Sequence, residues 1–296
     1  MTNRLSVGWK GVLLAIVLTI AFALIGFTVS MLLVVGYAAI VSPDVRTGLQ
    51  ALQTPTPIQT LVQGTAQLIG FLLATVMIGR WMLQWRFSDL RWTRGRIALR
   101  GAGRGLVLGA GAAALAVGGA VVLRTAFWSP DQGGLGDYLA QVTKTTAILA
   151  PAALSEEVIF RGLPLVLLAS MIGRTPALLL ISGGVFSLLH GLNPNITPLG
   201  FVNIALAGLF LGVTFYAPGG IWTAFGAHLG WNAALAALDA PVSGMPFRIP
   251  LLDYHAGQPF WVSGGPFGPE GGVLATVELV AALLIARRWT REESSL

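Results

Sequence analysis

"GVLLAIVLTIAFALIGFTVSMLLVVGYAAIV", residues 11–41, runs without a single charged side chain. A hydrocarbon core about 30 Å thick is crossed by roughly 20 apolar residues in a helix, so this stretch is long enough to span it with some tilt. Arg4 and Lys10 precede it, which raises the alternative of a secretory signal peptide. Its apolar part far exceeds the roughly 7 to 15 residues of such a signal, and no small-x-small cleavage site closes it. It reads as a retained first span.

The same pattern recurs outward from there. Apolar stretches follow at about 59–83, 105–127, 138–172, 176–190, 198–216, 220–238 and 272–285. Hydrophobic residues make up 55% of the 296-residue chain and charged residues 10%, against roughly 25% charged in an ordinary soluble protein. Lipid-facing backbone has to satisfy its own hydrogen bonds, so the expected architecture is all-α, a polytopic transmembrane helical bundle of about eight spans. The first and fourth stretches are overlong, which tilt or extension beyond the bilayer would absorb. The fifth and eighth are short.

The net charge of +6 invites a nucleic-acid reading. The cations are placed otherwise: Arg80, Arg86, Arg91, Arg94, Arg96, Arg100 and Arg104 fall together between two apolar stretches, as in a cytoplasmic loop under the positive-inside rule. With the amino terminus cytoplasmic, that side also holds Arg4, Lys10, Arg174, Arg287, Arg288 and Arg291. The other side keeps only Arg46, Arg124, Lys144 and Arg248. The reading is a multi-pass cell-membrane protein with both termini cytoplasmic, the bilayer as its partner and no nucleic acid. Residues 1–104 form the N-terminal spans with the Arg-rich loop. Residues 105–296 form the membrane core, with the chemistry-bearing region at about 150–240.

Glycines spaced four apart, Gly105/Gly109, Gly208/Gly212 and Gly226/Gly230, let membrane helices approach closely. The third pair interleaves with His228. Residues 241–271, rich in Pro and Gly, read as an external loop in preference to a lid.

The chain has no cysteine, so a reactive site has to be built from carboxylates, imidazoles and hydroxyls. Ionisable groups inside spans are few: Glu156, Glu157 and Arg161 in "EEVIFR", His190 ending "FSLLH", His228 opening "HLGWN", and Glu278. Such groups cost at least about 2.5 kcal/mol at a bilayer centre and are functional candidates by default. Glu157 and Arg161, at i and i+4, can neutralise each other. Glu156 points about 100° away and is left for another task. A carboxylate that takes a proton from water, an imidazole beside it, and donors such as His228 and Asn232 for a developing oxyanion are the parts of amide hydrolysis without a covalent nucleophile. Counting about 1.5 Å per residue places His228 about 13 Å and Glu156 about 24 Å from their expected cytoplasmic ends, which disagree. Glu278, near a helix start, is read as structural, and His255 lies in the Pro/Gly loop.

Intramembrane Glu, His and Arg also make ion or proton sites, so a membrane transporter or a non-catalytic scaffold stands as the alternative. Transporters tend to show broken helices in two halves of a repeat. No repeat is visible, and the polar groups are confined to the second half.

In these three motifs, Glu-Glu-x-x-x-Arg, Phe-x-x-x-His and His-x-x-x-Asn in that order, the chain resembles the CPBP family of intramembrane proteases, the CAAX endopeptidase and bacteriocin-processing (Abi) family. The resemblance implies a membrane endopeptidase acting on a peptide or protein substrate, lipidated or membrane-anchored tails among them. It implies that Glu156 with His190 activates the attacking water and that His228 and Asn232 stabilise the oxyanion, while Glu157 with Arg161 holds the helix in register. The family is counted among metalloproteases, and Glu156, His190 and His228 could ligate a zinc with one position left for water. There is no HExxH helix, however, and a metal-free glutamate/histidine mechanism is the favoured expectation.

Overall fold

The structure, a computed structural model, describes residues 8–53 and 56–294. Arg4 and the side chain of Arg291, both used in the charge asymmetry, lie outside the described residues. The fold is an all-α helical bundle, 75% helical. It divides into two compact units, one of the residues up to Trp92 with Ile148–Ile181, the other of Thr93–Ala147 with the residues from Ser182 onward.

The first unit is built on α1 (Trp9–Val41), α2 (Val45–Ala51) and α3 (Pro57–Ala74), which widens into a π-helical stretch over Thr75–Met82. Asp44 and Thr56 cap the starts of α2 and α3 through Thr47 N and Gln59 N at 2.9 and 3.1 Å, satisfying amides that a helix start leaves open. The α1 and α3 backbones meet at glycine: a Cβ on Gly70 would overlap Gly26 O. Phe71 closes the contact, 5.1 Å from the Phe22 ring and 5.0 Å from Phe27. The outer side of α1 leaves Leu24, Met31 and Leu32 exposed, a face suited to lipid.

The expected span at 138–172 is two helices, α5 (Leu135–Phe160) and α6 (Leu163–Ile172). Pro164, in the first turn of α6, has no N–H to bond back to Phe160, and its ring excludes that carbonyl. Gly162 makes the corner, where a Cβ would overlap Val158 O. The count of about 24 Å for Glu156 therefore ran through residues that are not one helix. Glu156 lies four residues from the end of α5, about 6 Å along its axis.

In the second unit α4 (Gly95–Val122) and α10 (Ile221–Ala237) pack backbone to backbone. A Cβ on Gly105 or Gly109 would overlap the Thr223 or Ala227 carbonyl, and one on Gly226 or Gly230 the Ala102 or Leu106 carbonyl. Gly226→Leu is therefore expected to lower the melting temperature in detergent sharply, by more than the 1–3 kcal/mol typical of overpacking. Gly111→Ala, with open space at its Cβ position, should leave the melting temperature unchanged or raised; equal melting of the two variants would contradict the packing.

The short α7 (Arg174–Ala177) leads into a π-helical stretch, Leu178–Val185, and α8 (Phe186–His190). α9 (Pro198–Phe215) packs on α12 (Val273–Ser294). Among the described residues four helices are long and apolar enough to cross a membrane: Trp9–Val41, Pro57–Met82, Gly95–Val122 and Pro198–Phe215. The other expected spans are interrupted, shorter or charged: the fourth by the break at Gly162, the fifth by its change of helix type, α10 by its 17 residues and α12 by its basic end.

Residues 241–271 are ordered rather than a plain loop. β1 (Ala126–Pro130) pairs antiparallel with β2 (Leu252–Ala256), Phe127 opposite His255. α11 (Phe260–Ser263) and two 3-10 turns follow. Phe247, Ile249, Val262 and Phe267 from this segment are buried.

Candidate functional site

Glu156, Glu157 and Arg161 belong to the first unit, at the end of α5. Glu157 Oε1 accepts from Arg161 Nη1 at 3.2 Å, with both side chains at 0% exposure. Helical spacing makes the pair: residues four apart share a face. The guanidinium also sits over the Phe160 ring, 5.6 Å from its centroid. Glu156, one residue earlier, is half-buried.

His190, His228 and Asn232 belong to the second unit and line one small cavity together with Ser243 and Glu270, among Phe186, Ile204, Phe210, Leu211 and Leu279. The cavity holds about 30 Å³, enough for a water molecule. His190 Nδ1 lies 2.8 Å from Phe186 O. A carbonyl only accepts, so Nδ1 donates in this hydrogen bond, and whenever the ring is neutral its lone pair sits on Nε2. The Phe186 ring lies 4.3 Å from His190 and stands edge-on to His228 at 6.4 Å. His228 is 8% exposed. Gly226 and Gly230, two residues to either side of it, face the opposite way and press α10 against α4. The interleaving seen in the sequence is thus one helix with a packing face and a polar face.

Ser243 and Glu270 went unnoticed in the sequence. Glu270 lies just before α12, and its Oε1 accepts from Trp231 Nε1 at 3.2 Å. Its Oε2 accepts from Ser243 Oγ at 3.0 Å and from Ser243 N. Burial pushes the Glu270 carboxyl above its ordinary value, against the opposing effects of the two Ser243 hydrogen bonds, the charge of His190 and the Trp231 indole. Ser243 and Gly244, with φ of 49° and 86°, form the tight turn closed by Val242 and Met245. Positive φ at both central residues marks a type I′ turn, and it aims the Ser243 N–H at Glu270. The available signal was one of two acids, with Asp253, in a Pro/Gly segment that opens on a Ser-Gly turn.

A second grouping fails as a catalytic triad. Ser129 Oγ and Asp253 Oδ2 both approach His255 Nε2, at 2.9 and 3.3 Å, whereas a relay needs the two on opposite ring nitrogens.

No three His, Cys, Asp or Glu side chains among the described residues are grouped as a metal ion requires. In the cavity, both Glu270 oxygens are already taken by protein donors.

Residues 139–234, about a third of the chain, match the family model described as type II CAAX prenyl endopeptidase Rce1-like. All three motifs, "EEVIFR", "FSLLH" and "HLGWN", fall inside the matched residues. Over this segment the chain is similar to the CPBP family. The similarity, together with the apolar helices, supports a membrane protein of CAAX-type intramembrane protease kind. No curated protein and no solved structure matches the chain.

Proposed function

We propose that the protein is an intramembrane endopeptidase that hydrolyses a peptide bond at or near the membrane by glutamate/histidine-activated water. Glu156 takes a proton from the attacking water, with His190 sharing in that activation through its Nε2 lone pair. The resulting hydroxide adds to the carbonyl carbon, and His228 and Asn232 donate to the oxyanion that forms. Collapse of the tetrahedral intermediate breaks the C–N bond, and the leaving amine takes up the proton held by Glu156. Glu157 and Arg161 neutralise each other and hold the end of α5, which leaves Glu156 for chemistry. The substrate is a peptide or protein presented at the membrane, lipidated tails included, and both termini lie on the arginine-rich, cytoplasmic side of the cell membrane.

The observation that carries this reading is the order of the three motifs within the matched segment. Support comes also from the second unit, where His190, His228 and Asn232 line a cavity of water size. The test is cleavage of a peptide library by purified protein in detergent, with and without chelator. The expected result is cleavage that resists chelation and falls at least about a hundredfold in His190→Ala. Full-rate cleavage by His190→Ala would overturn the assignment, and loss of activity on chelation would overturn the metal-free route.

A further inference from the structure

The three motifs leave one buried carboxylate of the cavity without a task. Glu270 is 5% exposed and accepts three hydrogen bonds, two from Ser243 and one from Trp231. Its own backbone is held firmly: the buried Asn203 donates to Glu270 O at 2.8 Å and to Gly272 O at 2.9 Å, and Thr276 Oγ1 donates to Asn203 Oδ1 at 2.7 Å. An acid fixed at this depth is costly compared with apolar packing of the same volume.

Trp231 stands between His228 and Asn232 in the sequence and beside them on the helix. At 100° per residue, Asn232 lies about 40° to one side of His228 and Trp231 about 60° to the other. The back of α10 offers Gly226 and Gly230 to the α4 backbone. A glycine face permits close approach of the two backbones. The ends of α10 are tied elsewhere, by Trp222 Nε1 to Thr93 O at 3.0 Å and by Tyr138 Oη to Ala237 O at 3.1 Å. At the level of the cavity, a polar tether runs from Trp231 to Glu270.

We infer that Glu270 is a positioning residue of this site: through the Trp231 indole it fixes the roll of α10 and so aims His228 and Asn232 into the cavity. The inference rests on the proteolytic reading for its kinetic consequence and on the hydrogen bonds alone for its physical one. Ser243 serves as the brace that holds the carboxylate toward Trp231.

The test compares Trp231→Phe, Glu270→Gln and the double variant in the full-length protein. Phenylalanine keeps an aromatic ring and removes the donor. Glutamine offers one acceptor oxygen to Ser243 and turns its amide N–H against the indole N–H, so the tether is broken without loss of volume. Each single variant should lower kcat about tenfold with KM within about twofold, the pattern of a contact that acts in the transition state. The double variant should be no slower than the worse single, because both remove the same interaction. Wild-type kcat in both singles, losses that multiply, or a lower melting temperature with unchanged kcat would each overturn the inference.

A second readout separates this from failure of the proteolytic reading. In protein labelled with ¹⁵N at the tryptophan indoles, Trp231→Phe identifies the Trp231 signal, and Glu270→Gln should shift that signal together with the His228 ring resonances. If the wild-type protein cleaves no peptide, the proteolytic reading fails and this spectrum decides alone. An unmoved Trp231 indole or unmoved His228 resonances would then overturn the positioning role.

Discussion

Glu156→Gln should remove peptide cleavage while leaving the protein inserted and folded, with kcat falling by about 10²–10⁴-fold, the range that a positioned general base contributes. Glutamine matches the carboxylate in shape, so whatever depends on volume or on accepting a hydrogen bond survives. It cannot take the proton of a water molecule at neutral pH, so the step that generates the nucleophile is lost. Glu156 is only half-buried, and replacing a charge by a neutral amide makes insertion no harder. Yield and melting temperature should therefore stay near those of the wild type. The measurement is the initial rate of cleavage in detergent, normalised to folded protein. Cleavage at the full rate would remove Glu156 from the mechanism, whatever the motif suggests.

The parts of this protein that were legible in its sequence are those in which spacing alone determines proximity. Glu157 and Arg161 are neighbours because α-helical geometry places residues four apart on one face, and no distant element is needed to bring them together. The glycine pairs of α4 and α10 were legible for a similar reason, since a four-residue repeat marks a helix stripe before its partner is known. What escaped depends on contacts between residues far apart in the chain. Glu270 follows Asn232 across a segment without helical period, and only the Val242–Met245 turn and the anchor at Asn203 fold it back over α10. β1 and β2 are short strands more than a hundred residues apart, so neither carries a hairpin signal. The break between α5 and α6 was hidden by hydropathy, which runs unbroken through Gly162 and Pro164 although the backbone bonds do not.

The buried pair at the end of α5 gives the largest expected effect on stability. Glu157 and Arg161 are both at 0% exposure, 3.2 Å apart, so neither charge is relieved by water. Glu157→Gln leaves the guanidinium buried without its closest counter-charge, which costs about 3–5 kcal/mol for pairs of this kind. Arg161→Met strands the Glu157 carboxylate in the same way. Glu157→Leu with Arg161→Met removes both charges at once and fills the space with apolar atoms, an exchange that is often neutral or stabilising. The expected order of melting temperatures in detergent is therefore the double variant near the wild type, with both singles far below it. Glu156 also acts electrostatically on Arg161. In Glu157→Gln it remains to act on Arg161, so the rate of cleavage per folded molecule should fall along with the stability. A Glu157→Gln protein that melts with the wild type would show that the ion pair does not hold the end of α5. A double variant that melts with the singles would show that the side chains matter for their shape and not for their charge.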